Sequence, residues 1–178
     1  MDIMTLVKLT SRAWSLNILA LLHEGVPGRQ APLLSATNAS RTAFAASFAH
    51  LTDLDLIERN PGHGHPLRPE FRLTPSGIAT AEIASKIITA ARDKDETSLL
   101  RKTWTVPVLA LTDRPHRFST IKSGLSIITD RALSSSLHQL EAQEWIRRDI
   151  NTAGRMPFPT YRAVKTGLAI NKAVGLTL

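Results

Sequence analysis

The sequence contains no cysteine. That absence excludes disulfides, thiolate nucleophiles, thiol redox sensing and the usual cysteine-bearing structural zinc sites. No run approaches the roughly 20 apolar residues that a membrane-crossing helix needs. The stretch MDIMTLVKLT lacks the charged start, apolar centre and cleavage site of a signal peptide. The expectation is a soluble cytoplasmic protein, associated with the nucleoid if it binds DNA. Acidic residues are scarce in one half only. Residues 1–100 carry 10 Lys/Arg against 10 Asp/Glu, whereas 101–178 carry 12 against 5, so the whole excess behind the net charge of +7 lies in the second half. Such a surplus points toward polyanions.

Chemistry-bearing constellations are also missing. The serines of the SSS run have no histidine and carboxylate at a recognisable spacing, and no glycine-rich loop is built to cradle phosphates. No enzyme activity and no cofactor is expected. His63 and His65, at i and i+2 between glycines and prolines, make a poor metal pair and read as a wing tip.

What the chain does contain is a repeat. Trp14 pairs with Trp104, Ile18-Leu19-Ala20-Leu21 with Val108-Leu109-Ala110-Leu111, and Phe71-Arg72 with Tyr161-Arg162, each at an offset of 90. Between them, SFAHLTDLDLIERN matches SLHQLEAQEWIRRD at an offset of 89. An ordered series of this length signals duplication, and two copies are too few for a solenoid.

Each copy reads the same way. Ser15 and Thr105 are placed to cap a helix whose apolar residues run to Leu22 and Leu111, with Pro107 in a first turn where its missing N–H costs nothing. A loop (GVPGR or DRPHR) leads to a short helix (APLLSA or RFSTIKSG). A longer helix follows, capped by Ser40 or Thr129. Phe44, Phe48 and Leu51 recur at i, i+4, i+7, as do Leu133, Leu137 and Leu140, which buries one stripe of each longer helix. Strands are predicted at LIERN and WIRRD, with return strands at EFRL and TYRAV. Between the copies, Thr74-Pro75 opens a helix through Ile78, Ile83 and Ile87, whose apolar face is suited to pack one domain on the other. That helix ends near the polar stretch RDKDETS. The expected fold is mainly α with small β wings: two tandem winged helix-turn-helix domains, 1–95 and 96–178, joined by a helical linker. Trp14 and Trp104 read as core rather than as ligand stackers.

The second copy resembles the HxlR-type winged-helix transcription regulators, and more distantly the MarR-type. The likeness is carried by Trp104-Thr105 with VLAL, then RFSTI, TDRALSSSLHQLE, IRRD, a wing and YRAVKTG. The first copy keeps Trp14, LIERN and FRLTPSG. The resemblance implies duplex DNA binding, with the longer helix of each copy as recognition helix. Three departures stand out: such regulators usually carry one domain and dimerise, some sense oxidants through a cysteine that is absent here, and they tend to have glycine after the recognition helix where this chain has Asp55 and Glu144.

Opposite the buried leucines, Arg131, Ser134, Ser135 and His138 share a face at i, i+3, i+4, i+7. Arg131, in the first turn, can meet guanine O6 and N7 bidentately. Thr129 and Arg117 lie at the starts of the two helices, and Arg147, Arg148, Arg155 and Arg162 surround the second wing, with Arg155 placed to reach a minor groove. In the first copy the same register gives Thr42, Ala45, Ala46 and Ala49, a face almost without donors. Arg41 and Asn38 can hold a phosphate at that helix start, and Arg68 is the wing contact.

The leading expectation is a sequence-specific double-stranded DNA-binding regulator read mainly by the second domain. It would act as a monomeric pseudo-dimer or a homodimer, with RNA polymerase or another regulator recruited by the first domain. A tandem protein-binding adaptor and a replication-associated DNA-binding factor stay open as alternatives.

Overall fold

The computed structural model describes residues 1–65, 68–91, 93–153 and 156–176, with side chains at 63–65 and 94 outside the description. The chain is mainly α-helical with small antiparallel sheets. It divides into two compact units. One is Arg12–Thr89; the other joins Met1–Ser11 to Ala90–Leu178. A helix the sequence did not announce, α1 (Ile3–Thr10), therefore groups with the second half. Asp2 caps it by accepting from the backbone N–H groups of Met4 and Thr5, and Leu6 and Leu9 are fully buried.

Within Arg12–Thr89 the order is α2 (Ser15–His23), α3 (Gln30–Thr37), α4 (Arg41–Asp53), β1 (Ile57–His65), β2 (Arg68–Leu73) and α5, which runs Pro75–Ala90. Ser40 caps α4 as expected, its hydroxyl accepting from Ala43 N–H at 3.3 Å. Phe44, Phe48 and Leu51 are buried, and Phe48 meets the Phe71 ring edge-on at 4.8 Å, which ties α4 to the hairpin. Thr74 caps α5 through Gly77 N–H.

The other unit adds α6 (Lys94–Leu100), α7 (Thr105–Ala110), β3 (His116–Arg117), α8 (Phe118–Leu125), α9 (Asp130–Ala142), β4 (Ile146–Asn151), β5 (Phe158–Ala163) and α10 (Lys165–Val174). The polar stretch read as a boundary is here a capped helix start, with Asp93 accepting from Glu96 N–H. The loop expected at DRPHR contains β3, which pairs with β5 to give the order β3-β5-β4. Its counterpart in the first unit is a single hydrogen bond, Phe71 N–H to Gly28 O at 2.7 Å.

The caps of α2 and α7 differ from expectation. Trp14 and Trp104 occupy the N-cap positions without a side-chain capping hydrogen bond, and Ser15 and Thr105 are the first helical residues, both buried. Thr105 instead donates to Leu99 O at 2.8 Å, tying α7 to α6.

Two details recur in both units. The helices α4 and α9 each close on a left-handed residue, Asp55 (φ 55°) and Glu144 (φ 58°). Beyond them, Leu56 N–H reaches Leu51 O and Trp145 N–H reaches Leu140 O, the wrapped C-terminal hydrogen bond that such a residue permits. Gly77 and Gly167 lie against the carbonyl oxygens of Leu56 and Trp145, so close that a Cβ at either position would overlap the oxygen. In these two places the sequence repeat is also a repeat of backbone geometry.

Candidate nucleic-acid interface

The helix α9 begins at a capped end. Thr129 Oγ1 accepts from Ala132 N–H at 3.2 Å, which commits one lone pair of that hydroxyl to the helix, and Asp130 pairs with Lys122 of α8 at 2.6 Å. That pair fixes the start of α9 against α8 with Arg131 one residue further in. Leu133, Leu137 and Leu140 are buried, and Arg131, Ser134, Ser135 and His138 are all exposed, as their spacing demands. Arg131 has no ion-pair or hydrogen-bond partner among the described residues. Its five donors are therefore uncommitted.

Beside this stripe a cleft of about 170 Å³ is walled by Phe118, Leu137 and Tyr161 and edged by Ser134, His138 and Arg148. The sheet supplies the remaining cations unevenly. Arg148 is exposed on β4 without a partner among the described residues, whereas Arg147 spends its Nε on Asp149 at 2.9 Å. Arg117 lies over the Phe158 ring, 3.5 Å from its centroid. That contact holds the start of α8 to β5 and leaves the guanidinium edge exposed. Arg162 is half-buried, with its Nε enclosed and without a partner among the described residues, so it is less available than its neighbours. Arg155 lies outside the described residues.

The same face of α4 is chemically poorer. Thr42, Ala45, Ala46 and Ala49 are exposed, and only Thr42 carries a donor. Arg41 is exposed in the first turn, and Asn38 is the left-handed residue that closes α3. In the hairpin β1–β2, Arg72 pairs with Glu58 at 2.8 Å and Arg29 with Glu70 at 3.4 Å. Arg68 is exposed. Arginine charge in this unit is thus partly neutralised internally. The side chains of His63 and His65 lie outside the described residues. No cluster of metal-ligating side chains occurs among the described residues, and no described helix is long and apolar enough to cross a membrane.

The C-terminal unit combines a capped helix with an uncommitted arginine, a short positioning helix and a basic hairpin. Residues 99–175 match the family described as HxlR-like helix-turn-helix. The HxlR-like segment contains α7 through α10 and every candidate contact from Arg117 to Arg162, and it is consistent with a DNA-binding transcription regulator. The comparison with curated proteins returned no match, nor did that with solved structures.

Sequence reasoning missed the supports of the HxlR-like stripe. Lys122 and Asp130 are eight positions apart, and Arg117 and Phe158 meet only through β3 and β5, so neither pair has a local spacing signal. Gln139, one turn beyond Ser135, could have been noticed from its i+4 position.

Proposed function

We propose that the protein is a sequence-specific double-stranded DNA-binding transcription regulator whose two halves, 1–95 and 96–178, with α1 of the first grouping with the second, act as unequal winged-helix domains, the second being the main reader. The observation that carries this reading is the exposed stripe Arg131, Ser134, Ser135 and His138 on a helix anchored by three buried leucines, within the HxlR-like match. A helix entering a major groove by its first turns presents such side chains to base edges. Arg148, Arg117 and Arg155 would contact phosphates or the minor groove. Thr129, Arg147 and Arg162 would contribute less, since their polar atoms are partly committed or enclosed.

In the first half, Thr42 and the exposed alanines would touch thymine methyl groups without hydrogen-bond reading, and Arg41, Asn38 and Arg68 would meet phosphates. Half-site symmetry mirrors protein symmetry, so the target is asymmetric if one chain spans it. Selection from randomised duplex DNA tests this proposal: one enriched site without two-fold symmetry is expected, and enrichment of no common sequence would refute it.

A second reading, a protein-binding adaptor, is favoured by the alanine face of α4 and by the Arg72–Glu58 and Arg29–Glu70 pairs. It predicts DNA binding without sequence preference. Recruitment of RNA polymerase or another regulator would belong to that first half.

A further inference from the structure

We infer that Lys102, which stands outside the reading stripe in the turn before α7, sets the hydrogen-bonding sense of Ser135 through Gln139 and thereby selects which base edges that serine accepts. The inference rests on the DNA-reading role proposed for α9.

Lys102 Nζ donates to Gln139 Oε1 at 2.8 Å, and Gln139 Nε2 donates to Ser135 Oγ at 3.2 Å. An ammonium group has donors only, so the glutamine carbonyl must face Lys102. The amide nitrogen is then turned toward Ser135, and the usual ambiguity of a glutamine side chain disappears. Ser135 accepts on its inner side. Its own proton is not used within the helix, unlike those of Ser47 and Thr112, which donate to the carbonyls of Ala43 (2.9 Å) and Val108 (3.1 Å) one turn back. Ser135 is exposed, so that proton is left for an external acceptor.

In a major groove the acceptors are guanine O6 and N7, adenine N7 and thymine O4, while adenine N6 and cytosine N4 are donors. Ser135 is thus preset toward guanine, thymine or N7 of adenine, and away from cytosine, which offers only a donor. Without Lys102, Gln139 is free to turn over and present Oε1, which takes the serine proton. The hydroxyl would then face the groove with lone pairs only, and adenine N6 or cytosine N4 would become its partner.

The test is site selection from randomised duplex DNA with the wild type, Ser135→Ala, Lys102→Met, Lys102→Arg and the Lys102→Met/Ser135→Ala double variant, with folding checked by circular dichroism. Ser135→Ala should relax preference at one base position. Lys102→Met should move that same position toward cytosine, the base that presents only a donor, by about three- to tenfold as expected for one hydrogen bond, and Lys102→Arg should keep the wild-type preference. The effect of Lys102→Met on base choice should vanish in the Ser135→Ala background. Loss of charge alone would weaken all sequences together, so an unchanged base preference in Lys102→Met overturns the inference. So does a change at a different position, or no relaxed position in Ser135→Ala; in each of these cases the DNA-reading role stands if the wild type still enriches a site. If the wild type enriches none, both fall.

Discussion

Glu144 and Lys165 form an ion pair although each holds a left-handed backbone, with φ of 58° and 50°. The first unit has no such pair, because Pro75 stands where the repeat would put the lysine, and Asp55 closes α4 alone. Its carbonyl instead accepts from the hydroxyls of Thr74 (2.7 Å) and Ser76 (3.0 Å). Those bonds involve backbone oxygen and survive any side-chain change. Asp55→Gly should therefore raise stability by about 0.5–1 kcal/mol, because glycine occupies this conformation without strain. Glu144→Gly should gain less, since it also loses Lys165. Urea unfolding of both variants checks the order.

Acid should weaken two local features. Lys165 holds the Glu144 carboxyl below its ordinary pKa, through a hydrogen bond first and charge second. The Thr5 hydroxyl, with the N–H groups of Thr5 and Met4, does the same for Asp2. A carboxyl depressed in the folded state contributes stability that is present above its unfolded pKa and is lost as pH falls through the folded value. Amide exchange at the start of α1 should rise as pH drops below the ordinary carboxylate range, beyond the intrinsic dependence, and Asp2→Asn should flatten that rise.

The glycines at 77 and 167 should resist substitution more than Gly124 does. A Cβ at Gly77 or Gly167 meets a backbone oxygen, while one at Gly124 meets the Leu111 side chain at 2.6 Å, which can rotate away. Gly167→Ala should cost about 1–3 kcal/mol, as other overpacking changes do. Thermal unfolding should show a clearly smaller loss for Gly124→Ala.

Leu6→Ala should destabilise the unit containing Ala90–Leu178, by about 2–5 kcal/mol as for other fully buried leucines. Hydrogen exchange should report the loss in α7 and α8. Protection of α3 and α4 that fell as far would contradict the grouping.

For DNA binding, Arg131→Ala should cost about 1–3 kcal/mol and relax one base position. Arg155→Ala should weaken all sequences and flatten the salt dependence. Thr42→Ala should leave base preference nearly unchanged. Fluorescence titrations at two salt concentrations separate the three.

The helices α2, α4, α7 and α9 and both hairpins were legible because apolar spacing and turn residues act locally. The caps of α2 and α7 lie one residue earlier than their hydroxyls suggest, because Ser15 and Thr105 are buried one position inside the helix and Trp14 and Trp104 hold the cap positions. The strand β3 is two residues long and exists only because β5 pairs with it, so no local pattern announces it. Apolar spacing in α1 shows which side is buried and not against what. Of the candidate interface, the face of α9 followed from periodicity. The committed charges did not, because Glu58 and Arg72 become neighbours only once the strand register is set.

The membership of α1 in the later unit separates the order of synthesis from the order of burial. A ribosome makes Leu6 and Leu9 long before α7 and α8 exist, so these side chains wait in water, or in a temporary contact, while the second half is translated. A translational pause or an early proteolytic nick in that interval would leave the later unit short of part of its core.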